Sequence, residues 1–321
     1  MTPTLVRQHR PPAGPAPQVD LRARARDWSE IQERMLVPLY EAVYERLDVG
    51  AGTRLLARGC GSGLALLMAA SRGAAVTGVD SCPERLALAR QRLLPEAPGA
   101  GGTRARADAR IVEGPPPRAA AGAPLDGLGG AALDTDREGT HGRGGTAGTC
   151  GAPGAGRADG AAVGTAAYTL VTAFEPLGCL AGGTEEPAGA LVAAVPLAER
   201  GAPVVLAGWG PPERCAASAV LRVATRAADP PPVARDGLED VARRAGLRPD
   251  GSGRVACPFG YADLDSAVRG MLSTGLFDAA IAAAGPDQVD KELSEALHAH
   301  QRRDGTVWMP NVFRYLIART P

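Results

Sequence analysis

One short run, Gly59-Cys60-Gly61-Ser62-Gly63, restricts what this chain can fold into more than any other stretch. It lies inside TRLLARGCGSGLALLMAASRGAAVTGVDSCPERLALARQRLL, residues 53–94. Residues 54–56, RLL, read as a short strand, 64–71 as a helix and 75–79 as a second strand ending on Asp80. Three glycines in five residues let the backbone turn tightly, bring N–H groups up to a ligand and seat the helix close to the sheet. The helix N-terminus adds unpaired donors and a partial positive charge. Asp80 lies one βα unit away, where a ribose would sit. The unit reads as a nucleotide-binding crossover.

Glycine spacing narrows the ligand. A dinucleotide fingerprint is G-x-G-x-x-G; here the third glycine comes one residue early, at Gly63, and Leu64 takes the fingerprint position. An NAD(P)-dependent oxidoreductase is disfavoured on that ground.

Composition sets the outer limits. With 321 residues the chain can bury a full α/β core. Its 35 basic and 35 acidic residues balance, so no overall field favours nucleic acid or an anionic membrane. The cysteines (Cys60, Cys82, Cys150, Cys179, Cys215 and Cys257) are scattered without a C-x-x-C pair, which suits free thiols in a reducing cytoplasm. His298 and His300 fall two apart on a predicted helix and point away from each other, so no metal site is expected. No apolar run reaches the length of a membrane span.

Residues 1–26 carry PPAGPAP and no periodic apolar set, and read as a disordered tail. Asp27 is placed to cap a helix with Ile31 and Met35 on one face, restarted at Pro38 with Leu39, Val43 and Leu47. Trp28 either packs there or belongs to a helical lid. Ser81-x-x-Glu84 with Pro83 is a capping-box pattern opening the helix after Asp80. A third strand is expected at 110–112. Residues 115–164 are rich in Gly, Ala and Pro and read as a mobile insertion, a surface loop or a lid. Order returns at YTLVTAF, 168–174, apolar enough for a strand buried on both faces. Further strands are expected at 203–209, 254–258 and 312–318. Helices are expected at 188–199, 216–227, 237–245, 264–272 and 286–302. Such an order fits a doubly wound sheet with an antiparallel strand added at its edge.

G-x-G-x-G with an acid ending the next strand resembles motif I and its partner in class I S-adenosylmethionine (SAM)-dependent methyltransferases. DWSEIQERMLVPLYEAV, AGWGPPERCAASAVL and NVFRYLIA extend the likeness to one actinobacterial-type group of that family, over roughly residues 27–114 and 167–318. The resemblance implies an α/β, Rossmann-like doubly wound seven-stranded sheet with an antiparallel last strand. It also implies SAM as cofactor, with Gly59, Cys60, Gly61 and Gly63 forming the loop under it. Asp80 would take the ribose, Ser81 would follow it, and Phe174 would border the methyl-donor site.

Three positions depart from the pattern. Ala57 stands where the family has an acid, a charge-assisted contact worth about 1.5–3 kcal/mol. Arg58 replaces an apolar residue, either pairing with Glu113 or Asp80 or binding an anion. Gly114-Pro115 replaces a Gly-Asp that often touches the adenine.

Methyl transfer from a sulfonium is an in-line displacement needing alignment and a dry pocket. A base is required only if the acceptor must lose a proton. Glu175 is the candidate for that role, with a solvated loop acid as the alternative. Trp209 and Tyr261 are candidate acceptor-pocket walls or core residues. The expected activity is methyl transfer to a small molecule, of the kind made in secondary metabolism, without nucleic acid or membrane. The alternative is a methyltransferase-fold protein that has lost transfer activity and serves as a binding subunit or a SAM-independent catalyst.

Overall fold

Side chains on strand β1 (Arg54–Arg58) alternate between two apolar layers, Leu55 and Ala57 in one and Leu56 in the other. Strand β5 (Pro203–Trp209) does the same, with Val205 and Ala207 on one side and Val204 and Leu206 on the other. Strands buried on both faces belong inside a covered sheet. The computed structural model describes residues 20–94, 109–114, 167–177, 185–224 and 237–321. The 115–164 insertion and the first 19 residues of the expected tail lie outside them.

The remaining strands of the main sheet are β2 (Ala75–Asp80), β3 (Ala109–Glu113), β4 (Leu170–Leu177), β6 (Arg248–Ala256) and β9 (Val312–Arg319). They form one seven-stranded sheet in the order β3-β2-β1-β4-β5-β9-β6. Every strand runs the same way except β9, which is antiparallel to both its neighbours. The last strand is therefore inside the sheet and not at its edge. Its residues explain this. Phe313, Tyr315 and Ile317 fill one core while Leu316 and Ala318 fill the other. The polar, largely exposed β6 takes the edge position instead.

Helices α5 (Glu185–Ala194) and α7 (Gly237–Arg244) cover one face. The other face carries α2 (Val37–Arg46), α3 (Leu64–Ser71) and α4 (Pro83–Leu93). With them lies a helical excursion between β6 and β9, made of α8 (Leu264–Ser273), α9 (Asp278–Ala284) and α10 (Pro286–His298). That excursion is bracketed by a second, two-stranded sheet of β7 (Phe259–Tyr261) and β8 (Val307–Met309), which the apolar pattern did not reveal. The helix expected from 216 is short, α6 (Ala217–Leu221).

The chain is ordered earlier than its composition suggests. Helix α1 (Leu21–Asp27) starts six residues ahead of Asp27, because the Asp20 carboxylate accepts hydrogen bonds from the backbone of Arg22 and Ala23. Arg24 then pairs with Asp278 at 2.7 Å. After α1 the winding widens to a π-turn at Trp28–Gln32 and tightens to a 3-10 turn at Glu33–Leu36 before α2 begins.

Candidate functional site

The glycine loop joins β1 to α3 at the carboxyl end of the sheet, where β1 is flanked by β2 on one side and β4 on the other. Chain order reverses at this point, and a crevice opens at such a switch in any doubly wound sheet. Gly59, Gly61 and Gly63 all take left-handed backbone angles, with φ of 63°, 57° and 83°. At Gly63 a side chain is excluded twice over, since an added Cβ would lie 3.0 Å from the Ala89 Cβ and 3.2 Å from its Cα. The glycine is what lets α4 lie against the start of α3.

Asp80 fastens this loop. Its two carboxylate oxygens accept the backbone N–H of Gly61 at 2.8 Å and of Cys82 at 2.9 Å. The Gly61 N–H is thus directed to the neighbouring strand and not to a ligand. Each carboxylate oxygen retains a second lone pair. The Cys82 contact also starts α4, whose N-cap is Cys82 with no side-chain cap bond. The Ser81 capping box is therefore not formed, and Ser81 is exposed. Cys60 points into the sheet, because an added Cβ on Gly78 would meet its Sγ at 2.9 Å. Burial and the nearby carboxylates of Asp80 and Glu33 push its thiol up.

Gly59, Cys60, Gly61, Phe174 and Glu175 meet around one cavity, whereas Gly63, Asp80 and Ser81 do not line it. Ala57 and Arg58 complete its β1 side. The β4 side is shaped by a break in the pairing of β4 with β5 between Ala173 and Leu177, a bulge of the kind that re-aims side chains. Phe174 is buried there against Tyr40 and Tyr44, with ring centroids 4.9 and 5.8 Å apart. The Glu175 Oε2 sits 3.1 Å from where a Cβ on Gly59 would be. Tyr261 and Trp209 are core residues. The Tyr261 hydroxyl donates to Gln32 at 2.9 Å, and Trp209 packs on Phe259 and Phe313.

The opposite wall comes from the N-terminal segment, through Trp28, Glu33, Leu36 and Tyr40. Glu33 is only 2% exposed. It accepts from Ser62 Oγ and, at 2.6 Å, from the Arg92 guanidinium. The same guanidinium donates to the carbonyl and hydroxyl of Ser62, at 3.0 and 2.8 Å, and to those of Ser29, at 3.2 and 2.6 Å. Arg85 lies 4.4 Å over the Trp28 ring. Trp28 Nε1 and Thr172 Oγ1, both from residues lining this cavity, are buried with no hydrogen-bond partner among the described residues. The space left between these walls is about 20 Å³, room for roughly one water.

Helical periodicity could not reveal Glu33 or Arg92. It put Ile31 and Met35 on one face, and both do pack partly buried against the core, but the π and 3-10 winding also turns Trp28, Ser29, Gln32 and Glu33 inward. Arg92 reads from sequence as one of several helix-surface arginines.

No family model matches the chain, and no curated protein matches it. Solved structures do resemble it. A SAM-dependent methyltransferase from Geobacter sulfurreducens in complex with S-adenosyl-L-homocysteine is 17% identical, over 93% of this chain and 98% of that one, with a TM-score of 0.40. Geranyl diphosphate C-methyltransferase from Streptomyces coelicolor A3(2) is 12% identical over 90% and 80% of the two chains, with a TM-score of 0.43. The cyclase SpnF is 16% identical over 88% and 80%, with a TM-score of 0.43. The sheet order, with one antiparallel strand between β5 and β6, is that of the class I methyltransferase fold. Among the described residues no helix is long and apolar enough to cross a membrane.

Proposed function

We propose that the protein is a SAM-dependent methyltransferase acting on a small-molecule acceptor. The observation that carries this reading is the left-handed glycine loop at the switch between β1 and β4, tied to the acid that ends β2. In this reading the loop residues Gly59, Cys60, Gly61 and Gly63 run beneath the nucleoside, and the remaining lone pairs of Asp80 accept its ribose hydroxyls. Phe174 borders the methyl group. Glu175, exposed in the bulge beside the loop, would be the carboxylate to take a proton from an acceptor that must lose one. The nucleoside supplies the electrophilic methyl; the chain aligns it and excludes water. The balance of acidic and basic residues supports an uncharged or mildly charged small acceptor over nucleic acid. The free thiols of Cys60, Cys82, Cys215 and Cys257 suit a reducing cytoplasm.

The narrow cavity, together with Ala57 and Arg58, favours a second reading, a methyltransferase fold without transfer activity. Thermal unfolding with S-adenosylhomocysteine separates the two. A binder gains about 2.7 kcal/mol of stability at a hundredfold excess over Kd. Asp80→Asn, which retains one carbonyl acceptor, should reduce that gain. No gain at millimolar ligand leaves only the second reading.

A further inference from the structure

Three side chains from one stretch of the chain, Trp28, Glu33 and Leu36, line the crevice at the glycine loop beside Tyr40 of α2. What they leave is about 20 Å³, against the roughly 300 Å³ or more of pockets that hold small ligands. A nucleoside enters only if this stretch moves. The stretch is built for that. Its ends are anchored: α1 is tied by Arg24 to Asp278, and α2 is packed through Leu39, Val43 and Tyr44. Between these anchors the backbone is wound as a π-turn and then a 3-10 turn, windings with poorer hydrogen-bond geometry than an α-helix.

Several contacts hold the middle down, the Tyr261 hydroxyl on Gln32 and the Leu64 N–H on Glu33 among them, and one guanidinium bridges two of its residues to the loop. Arg92 on α4 reaches Ser29 and Glu33 on the stretch and Ser62 on the loop at once. The closed arrangement also leaves Trp28 Nε1 and Thr172 Oγ1 buried without partners among the described residues. That is a cost which a polar ligand in the cavity would relieve.

We propose that residues 28–36 form a strap closing the glycine-loop cavity in the ligand-free protein, latched by Arg92 through Ser29 and Glu33, and displaced when the nucleoside enters. The entry step rests on the methyl-donor reading above; the latch does not. Arg92 acts here as a positioning residue. It touches the strap and the loop, and its planar fork sends one nitrogen to Glu33 and Ser62 and the other to Ser29, a span that the single nitrogen of a lysine does not have.

Amide hydrogen exchange on the full chain, read by mass spectrometry, tests the latch. Arg92→Gln is expected to speed exchange across residues 28–36 by about tenfold or more, the loss of a charge-assisted hydrogen bond, while β1 and β4 stay protected. Arg92→Lys should fall between, since it keeps the pair with Glu33 but not the fork. S-adenosylhomocysteine should associate correspondingly faster with Arg92→Gln than with the wild type. Wild-type exchange across 28–36 in a folded Arg92→Gln protein overturns the latch. If that variant loses protection everywhere, Ser29→Ala decides: exchange faster in 28–36 alone supports the latch, and unchanged exchange overturns it. Ligand association no faster in Arg92→Gln than in the wild type, with exchange raised, overturns displacement as the entry step. Absence of ligand binding in both proteins, with exchange raised, overturns the methyl-donor reading and leaves the latch supported.

Discussion

Gly63→Ala is the sharpest test of how the loop is built. Two costs add. The first is conformational: a residue with a Cβ held at the left-handed φ of 83° loses about 1–2 kcal/mol. The second is steric. The new methyl would stand 3.0 Å from the Ala89 Cβ, 3.2 Å from its Cα and 3.4 Å from the Leu93 Cδ1, so the α4 backbone must give way. Forcing such a shift in a packed layer costs about 1–3 kcal/mol. Together they predict a loss of roughly 2–5 kcal/mol, or roughly 4–20 °C in melting temperature. Urea unfolding followed by far-UV circular dichroism measures it. The double variant Gly63→Ala/Ala89→Gly separates the two parts. It removes the Cβ–Cβ contact, keeps the φ cost and adds about 0.5–1 kcal/mol for a helical glycine. It should therefore recover part of the loss but not all of it. A single variant less than about 1 kcal/mol below the wild type would refute the reasoning about Gly63.

Other outcomes follow from the same geometry. Glu33→Ala strands the partly buried Arg92 guanidinium and should cost about 3–5 kcal/mol, whereas Glu33→Leu/Arg92→Met should recover most of that. Chemical unfolding of the set tests this, and a double variant as weak as the single one counts against the buried pair. Asp263 caps α8 by accepting from the Ser266 N–H at 2.7 Å, and that bond lowers its carboxyl from the usual range. A lowered folded-state value means stability present above the unfolded-state pKa of about 3.9 and lost as pH falls through the lower folded value. Asp263→Ala should therefore destabilise at pH 7 and scarcely at pH 2, and equal losses at both would contradict the cap. Finally, burial pushes the Cys257 thiol up to about 12 and raises those of Cys60 and Cys215. Among these and Cys82, alkylation at about pH 8 followed by peptide mapping should mark the half-buried Cys82 first.

Local signals carried the glycine loop and the sheet well. Three glycines between an apolar strand and a helix allow few other solutions, and β4 reads as buried because it is apolar on both faces. Where the reading failed, the deciding partner lay far off in sequence. The capping box looked sound, but the Asp80 carboxylate reaches the Cys82 N–H first and starts the helix one residue later. The last strand was placed at the edge because a terminal strand usually has one free side. Its two apolar faces in fact demanded neighbours on both, and the polar run RPDGSG of β6 was the better edge. Position alone leaves Trp209 and Tyr261 open between pocket wall and core. Their surroundings, Phe259 and Phe313 for one and Gln32 for the other, come from segments that no local pattern connects to them.

The missing acid at Ala57 gains a different meaning once Glu33 is in view. A strand-borne carboxylate would be fixed to the sheet, present whether or not the cavity is occupied. Glu33 instead arrives on a segment whose winding is irregular and which Arg92 helps to hold, so the charge beside Gly61 is coupled to the wall that narrows the cavity. Opening the strap removes both together, and closing it restores both together. The same coupling makes Arg92 and Glu33 the pair whose loss should uncouple closure from ligand affinity, a separation that Ala57→Asp, which restores a fixed acid on β1, would be expected to repair only for affinity.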